Sequence, residues 1–96
     1  MNRFTKLSES KTFYVTGDIS GKLEHEGYYG DAVNRLAKFE NLYEHLLARH
    51  NAIPAELEKL RLAGKNKTVT FKELLTEKMI NDMILTQLER QGLKDT

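Results

Sequence analysis

Residues 31–47, DAVNRLAKFENLYEHLL, carry the clearest structural signal in the 96-residue sequence. Their apolar side chains recur at steps of three and four residues, which is the spacing of one face of an α-helix, and charged side chains fall between them. Asp31 opens the pattern and can accept hydrogen bonds from the free amides of the first turn. The sequence therefore predicts an amphipathic helix over residues 31–50, with Asn51 as its stop.

A short second helix is predicted over residues 54–63. Pro54 suits its first turn, because an N–H at that position would have no partner, and Gly64 follows as a terminator. Only about three residues separate this helix from the first, so the two should form a helical hairpin or a sharp corner.

The third predicted helix covers residues 71–91. Thr70 and Glu73 have the spacing of a capping box, and Gly92 is placed for a left-handed cap. The apolar surface of this helix is wider than one neighbouring helix would cover. Two alternatives follow: the helix is central in the domain, or part of its surface is a subunit interface.

The first thirty residues hold four of the six glycines and the run TFYVT at residues 12–16. β-Branched and aromatic residues in such a run favour a strand. Turn residues follow at 17–21, and residues 23–29 can return as a second strand. The sequence predicts a β-hairpin here, which must pack on other elements because an isolated hairpin is marginally stable.

The predicted fold class is α+β, mostly α, with an N-terminal β-hairpin packed on a three-helix core. We expect a single domain over residues 1–96, made of a hairpin-containing segment 1–30 and a helical segment 31–93. The chain falls within the common size range of one domain and can bury a core without disulfides or a structural metal.

Composition excludes several classes of protein. The sequence has no cysteine, which rules out a disulfide framework, thiolate metal sites and thiol catalysis. Lys and Arg number 15 against 14 Asp and Glu. A net charge this close to zero produces no strong long-range attraction to nucleic acid or to an anionic membrane. Without an apolar leader or a run of about 18 apolar residues, we expect a cytoplasmic protein with no membrane contact.

The sequence offers no catalytic, cofactor-binding or metal-binding constellation, and we expect a chain that is not an enzyme. His45 and His50 are five residues apart on a helix, so they cannot chelate one ion as an i, i+4 pair does. Nucleophile motifs and phosphate-cradling glycine loops are missing as well. No cofactor is expected.

Two surfaces are candidates for partner binding. The first is acidic and bears tyrosines, and consists of Asp18, Glu24, Glu26, Tyr28 and Tyr29. Tyrosine is a common anchor at protein interfaces, although a solvated acidic edge is the plainer interpretation of the carboxylates. The second is a basic stretch without acidic residues, in which Lys59, Arg61, Lys65, Lys67 and Lys72 could neutralise a few phosphates. A solvated interhelical loop is the plainer interpretation there.

Two segments resemble small proteins of unassigned function from phages, prophages and mobile elements of Gram-positive bacteria. They are AVNRLAKFE at residues 32–40 and KTVTFKELL at residues 67–75, the latter continuing to LERQGL at 88–93. The resemblance covers about half of the chain and brings no catalytic residue with it. The resemblance implies that the chain is the product of an accessory gene of a mobile element.

The leading hypothesis is a non-enzymatic accessory protein that acts by protein–protein interaction, with inhibition of a host defence system as one form. We expect it to bind a host or phage protein and to form a homodimer through the excess apolar face of the last helix. The alternative is a weak nucleic-acid-binding accessory factor that uses the basic stretch.

Overall fold

A computed structural model describes residues 3–17 and 27–93, together with the backbone of 22–24. Its elements are β1 (Thr5–Leu7), β2 (Tyr14–Thr16), β3 (Lys22–Glu24), β4 (Gly27–Tyr29), α1 (Asp31–Leu62) and α2 (Val69–Arg90). The chain divides into two compact units, residues 1–44 and residues 45–95, and α1 contributes residues to both. A single domain stays a prediction.

The strands form one antiparallel sheet in the order β1-β2-β4-β3. The predicted two-stranded hairpin is therefore wrong. Its first strand exists as β2, but residues 23–29, predicted as one strand, contribute to two strands, β3 and β4. β1 adds a further strand on the other side of β2. The sequence TKL of β1 is too short to show an alternating pattern.

Gly27 permits the close approach of β4 to β2. Its φ is +130°, and a Cβ at this position would lie 2.7 Å from the carbonyl oxygen of Thr16. Because that oxygen belongs to the backbone, no side-chain movement could relieve the contact. Glycine is the residue that this strand junction requires.

The first unit is held together by apolar contacts and one buried carboxylate. Val15 of β2 is buried, as are Val33 and Ala37 of α1. Glu40 is only 2% exposed, and its carboxylate accepts hydrogen bonds from Phe4 N at 2.7 Å, Thr5 N at 3.2 Å and Thr5 Oγ1 at 2.5 Å. This carboxylate fixes the start of β1 to α1.

The prediction of three helices is wrong, because α1 continues through Asn51 and Pro54 to Leu62. Leu46, Ile53 and Leu57 are buried, and their spacing of seven and four residues places them on one face of the continuous helix. Pro54, the residue after Ile53, is exposed. Burial of this face outweighs the hydrogen bond that Pro54 cannot donate, so the fold is a sheet with two helices, still mostly helical.

Both helices end at glycine as the sequence predicts. In α2, Gly92 has a φ of +78°, its N–H donates to Glu89 O at 3.0 Å, and Leu93 N donates to Leu88 O at 2.9 Å. This pair of bonds is the Schellman motif. The equivalent pair ends α1, where Gly64 has a φ of +73°.

The start of α2 differs from the prediction by two residues. Thr68 is the N-cap, and its Oγ1 accepts a hydrogen bond from Phe71 N at 3.3 Å. Thr70, the predicted cap, lies inside the first turn. Within the described ranges, neither helix is long and apolar enough to cross a membrane.

Candidate protein-interaction face

Helix α2 has an inner face that packs within the second unit. Phe71 is buried with Ile53 and Leu57 of α1, and the half-buried Leu60 and Leu74 pack against this cluster. These contacts account for one side of the helix.

The opposite side of α2 is apolar and exposed. The outer face, as we call it, consists of Leu75 (43% exposed), Met79 (59%), Ile80 (49%), Met83 (63%) and Ile84 (37%). Steps of three and four residues make these side chains neighbours along the helix. A single exposed apolar side chain is ordinary, whereas five neighbouring ones on one side of a helix form a candidate interaction surface. The sequence predicted the excess apolar surface, and the structure shows that the described part of the chain leaves it open.

An open groove of about 520 Å³ runs along one side of the outer face. Its walls come from α2 alone, among them Leu75, Met79, Met83 and Arg90. Binding sites for small molecules enclose most of their ligand between several elements. A groove on a single helix lacks an opposing wall, so it suits a partner that supplies one.

Two ion-pair clusters join α1 to α2 within the second unit. In the first, the Arg49 guanidinium contacts the Glu77 carboxylate at 2.6 and 2.8 Å, and Glu56 Oε2 lies 3.0 Å from Arg49 Nη2. The hydrogen bonds from Arg49 hold the pKa of Glu77 below its usual value, and the two carboxylates raise the pKa of Arg49. This arrangement links residues 28 positions apart.

The second cluster consists of His50, Lys78 and Asp82. Lys78 Nζ donates to Asp82 Oδ2 at 2.8 Å, and His50 Nδ1 lies 2.9 Å from Asp82 Oδ1. The hydrogen bond from Lys78 and, to a smaller extent, the one with His50 hold the pKa of Asp82 below its usual value. No sequence pattern predicts this cluster, because His50 and Asp82 are 32 residues apart and follow no motif.

A His–Asp pair contributes to catalysis where it activates a nucleophile. The hydroxyl of Thr86, one turn after Asp82, donates instead to the Asp82 carbonyl at 2.8 Å. Among the described residues, no group of three or more His, Asp or Glu side chains is placed to hold a metal ion. The second cluster connects α1 to α2 through the contact between His50 and Asp82.

The acidic, tyrosine-bearing surface is described only in part. Asp18 and Glu26 lie outside the described residues, and of Glu24 only the backbone is described, opposite Gly27 in the β3–β4 pair. Tyr28 and Tyr29 are half-buried in β4, and the ring of Tyr29 lies 5.3 Å from that of Phe13. Partner binding by this surface stays a prediction.

The structure brings the basic stretch to one end of the second unit. It occupies the last turn of α1, the six-residue connection 63–68 and the first turn of α2, and all five side chains are exposed: Lys59, Arg61, Lys65, Lys67 and Lys72. Arg61 already donates to Glu58 at 2.8 Å, and its guanidinium lies over the Phe71 ring. The other four residues of the stretch, all lysines, are the better candidates for binding an anion.

Comparisons with protein-family models, with curated proteins and with solved structures find no match.

Proposed function

We propose that this protein acts by binding another protein chain through the outer face of α2, and that it is not an enzyme. The observation that carries the proposal is the row of five large apolar side chains, each 37–63% exposed. Complete burial of one such side chain is worth about 1.5–3 kcal/mol. Burial of these five side chains against a partner would therefore contribute substantially to the free energy of association.

The groove supports binding over catalysis. All of its walls lie on α2, and the nearby acidic side chains Glu77 and Asp82 are already paired with cations. We place this interaction in the setting that the sequence resemblance implies, an accessory protein of a phage or mobile element. Inhibition of a host defence system is one form that such binding would take.

Site-specific photo-cross-linking tests the proposal in cells that express the chain. A photoreactive residue at Met83 on the outer face should give adducts with a protein, and one at the exposed Arg35 in the first unit serves as the matched control. Adducts at position 83 in excess of those at position 35 support the proposal. Equal or absent adducts at position 83 contradict it.

A second candidate function is weak binding of nucleic acid, favoured by the clustering of the basic stretch at one end of the second unit. Such binding would depend on neutralising phosphates and would weaken steeply as salt is raised. A DNA titration at two salt concentrations tests it, with Lys65→Glu/Lys67→Glu as the variant. Undetectable affinity at low salt, or affinity unchanged in the variant, would exclude this function.

A further inference from the structure

We propose that the end of the second unit where α1 meets α2 binds the surface of an anionic lipid bilayer. The tip, as we call it, comprises residues 59–72: the last turn of α1, the connection 63–68 and the first turn of α2. This inference goes beyond the proposed function, which uses a different surface, the outer face of α2. It is carried by two strongly exposed apolar side chains and by the lysines that accompany them.

Leu62 and Val69 are the most exposed large apolar side chains in the described part of the chain. Leu62, the last residue of α1, is 80% exposed, and Val69, the first residue of α2, is 71% exposed. Phe71 packs with Ile53 and Leu57, so the end of α1 and the start of α2 lie at the same end of the unit. Both apolar side chains therefore meet solvent at this one end.

The tip carries a local positive charge. Four exposed lysines belong to it: Lys59, Lys65, Lys67 and Lys72. Residues 58–73 hold five basic and two acidic residues, a formal charge of +3, and one of the two acids, Glu58, is paired with Arg61 at 2.8 Å. Salt screens exposed charges beyond about 8 Å at physiological ionic strength. The charge near the tip therefore matters more for surface contact than the net charge of +1.

Basic and apolar side chains together match the boundary region of an anionic bilayer. Each lysine near such a surface strengthens binding about fivefold, through attraction to the negative headgroups. Apolar side chains gain when they enter the boundary between headgroups and acyl chains, and the long stems of lysines allow their ammonium groups to stay among the headgroups. Leu62 and Val69 would enter this boundary while the lysines contact the headgroups.

The apolar pair favours a bilayer over nucleic acid. The lysines alone suit either partner, because both present phosphates. Against a phosphate backbone Leu62 and Val69 would stay in water, whereas a bilayer removes their apolar surface from water. The tip would lie on the surface without spanning the bilayer. It therefore needs neither the long apolar run nor the high net charge on whose absence the expectation of no membrane contact was based.

Co-sedimentation with lipid vesicles tests the proposal on the 96-residue chain. The chain should bind vesicles of phosphatidylcholine that contain about 30% phosphatidylserine, and raising the salt concentration should weaken this binding. Vesicles of phosphatidylcholine alone should bind the chain far more weakly, because they lack net negative charge.

Two variants separate the charged and apolar contributions. Lys65→Glu/Lys67→Glu should weaken binding to the anionic vesicles by at least about 30-fold, because two attractions of about fivefold each are lost. Leu62→Ser/Val69→Ser keeps every lysine and should weaken binding by at least about tenfold, because less apolar surface leaves water. The matched control is Leu42→Ser in the first unit, a 50% exposed leucine away from the tip, which should bind as the unmodified chain does. Circular dichroism establishes that all three variants stay folded.

Four results would overturn the proposal: no binding to the anionic vesicles, equal binding to both kinds of vesicle, unchanged binding in Leu62→Ser/Val69→Ser, or an equal loss in the Leu42→Ser control. A chain that binds a DNA duplex but not the vesicles would overturn it as well, in favour of the second candidate function. Photo-cross-linking at Met83 reports on the outer face alone, so failure at the tip leaves the proposed function standing.

Discussion

Glu40 is a buried polar residue that joins β1 to α1 in the first unit. Its buried carboxylate accepts hydrogen bonds from two backbone amides and one hydroxyl at the start of β1. Removal of the acceptor leaves these donors without a partner, and a hydrogen bond to a charged group is worth about 1.5–3 kcal/mol. We expect Glu40→Ala to lower the free energy of unfolding by at least about 3 kcal/mol, as measured by urea denaturation.

The matched control for Glu40 is Glu44, one turn further along α1. Its carboxylate is 44% exposed and pairs with Arg3. Exposed ion pairs contribute about 0–1 kcal/mol, so Glu44→Ala should change stability little. Equal losses in the two variants would contradict the role assigned to burial.

Glu77 and Asp82 make stability depend on pH. Cations hold the pKa of both carboxyl groups lower in the folded chain than their usual values of 4.5 and 3.8. The unfolded chain then binds protons more readily, so the stabilisation is complete above about pH 5 and is lost as the pH falls through the folded pKa values. Urea denaturation between pH 7 and pH 3 should show this loss. It should be smaller in Glu77→Gln/Asp82→Asn, and an unchanged pH dependence would count against these ion pairs.

At the scale of single elements, sequence patterns predicted those features that local chemistry controls. The end of α2 at Gly92 follows from glycine's access to positive φ. Asp31 stands in the first turn of α1, where a negative charge complements the helix dipole. The break predicted at residues 51–53, before Pro54, was wrong because burial of Ile53 and Leu57, a tertiary effect, stabilises the helix through the proline. The His50–Asp82 pair was not predicted, because only the packing of α1 against α2 brings these two residues together.

The N-terminus of α2 offers a direct comparison of two candidate caps. Thr68 Oγ1 accepts the hydrogen bond from Phe71 N, whereas Thr70 lies inside the first turn. Loss of an N-cap side chain costs about 1 kcal/mol. Thr68→Ala should therefore lower the melting temperature measurably in a thermal unfolding experiment, and Thr70→Ala should have little effect. A larger loss in Thr70→Ala would restore the capping box predicted from the sequence.

At the scale of the whole molecule, the outer face of α2 is the feature that the fold itself does not explain. The ion pairs and the Phe71 cluster account for the inner side of the helix, while five large apolar side chains stay exposed. The sequence indicated the excess of apolar surface but left a central helix and a subunit interface as alternatives. Exposure of one side of α2 in the structure favours the interface.

Site-specific photo-cross-linking in cells is the measurement that most directly tests whether the outer face of α2 binds another protein chain. A photoreactive residue at the exposed Met83 should give more protein adducts than one at the exposed Arg35 of the first unit. Equal adducts at the two positions, or none at position 83, would contradict this function.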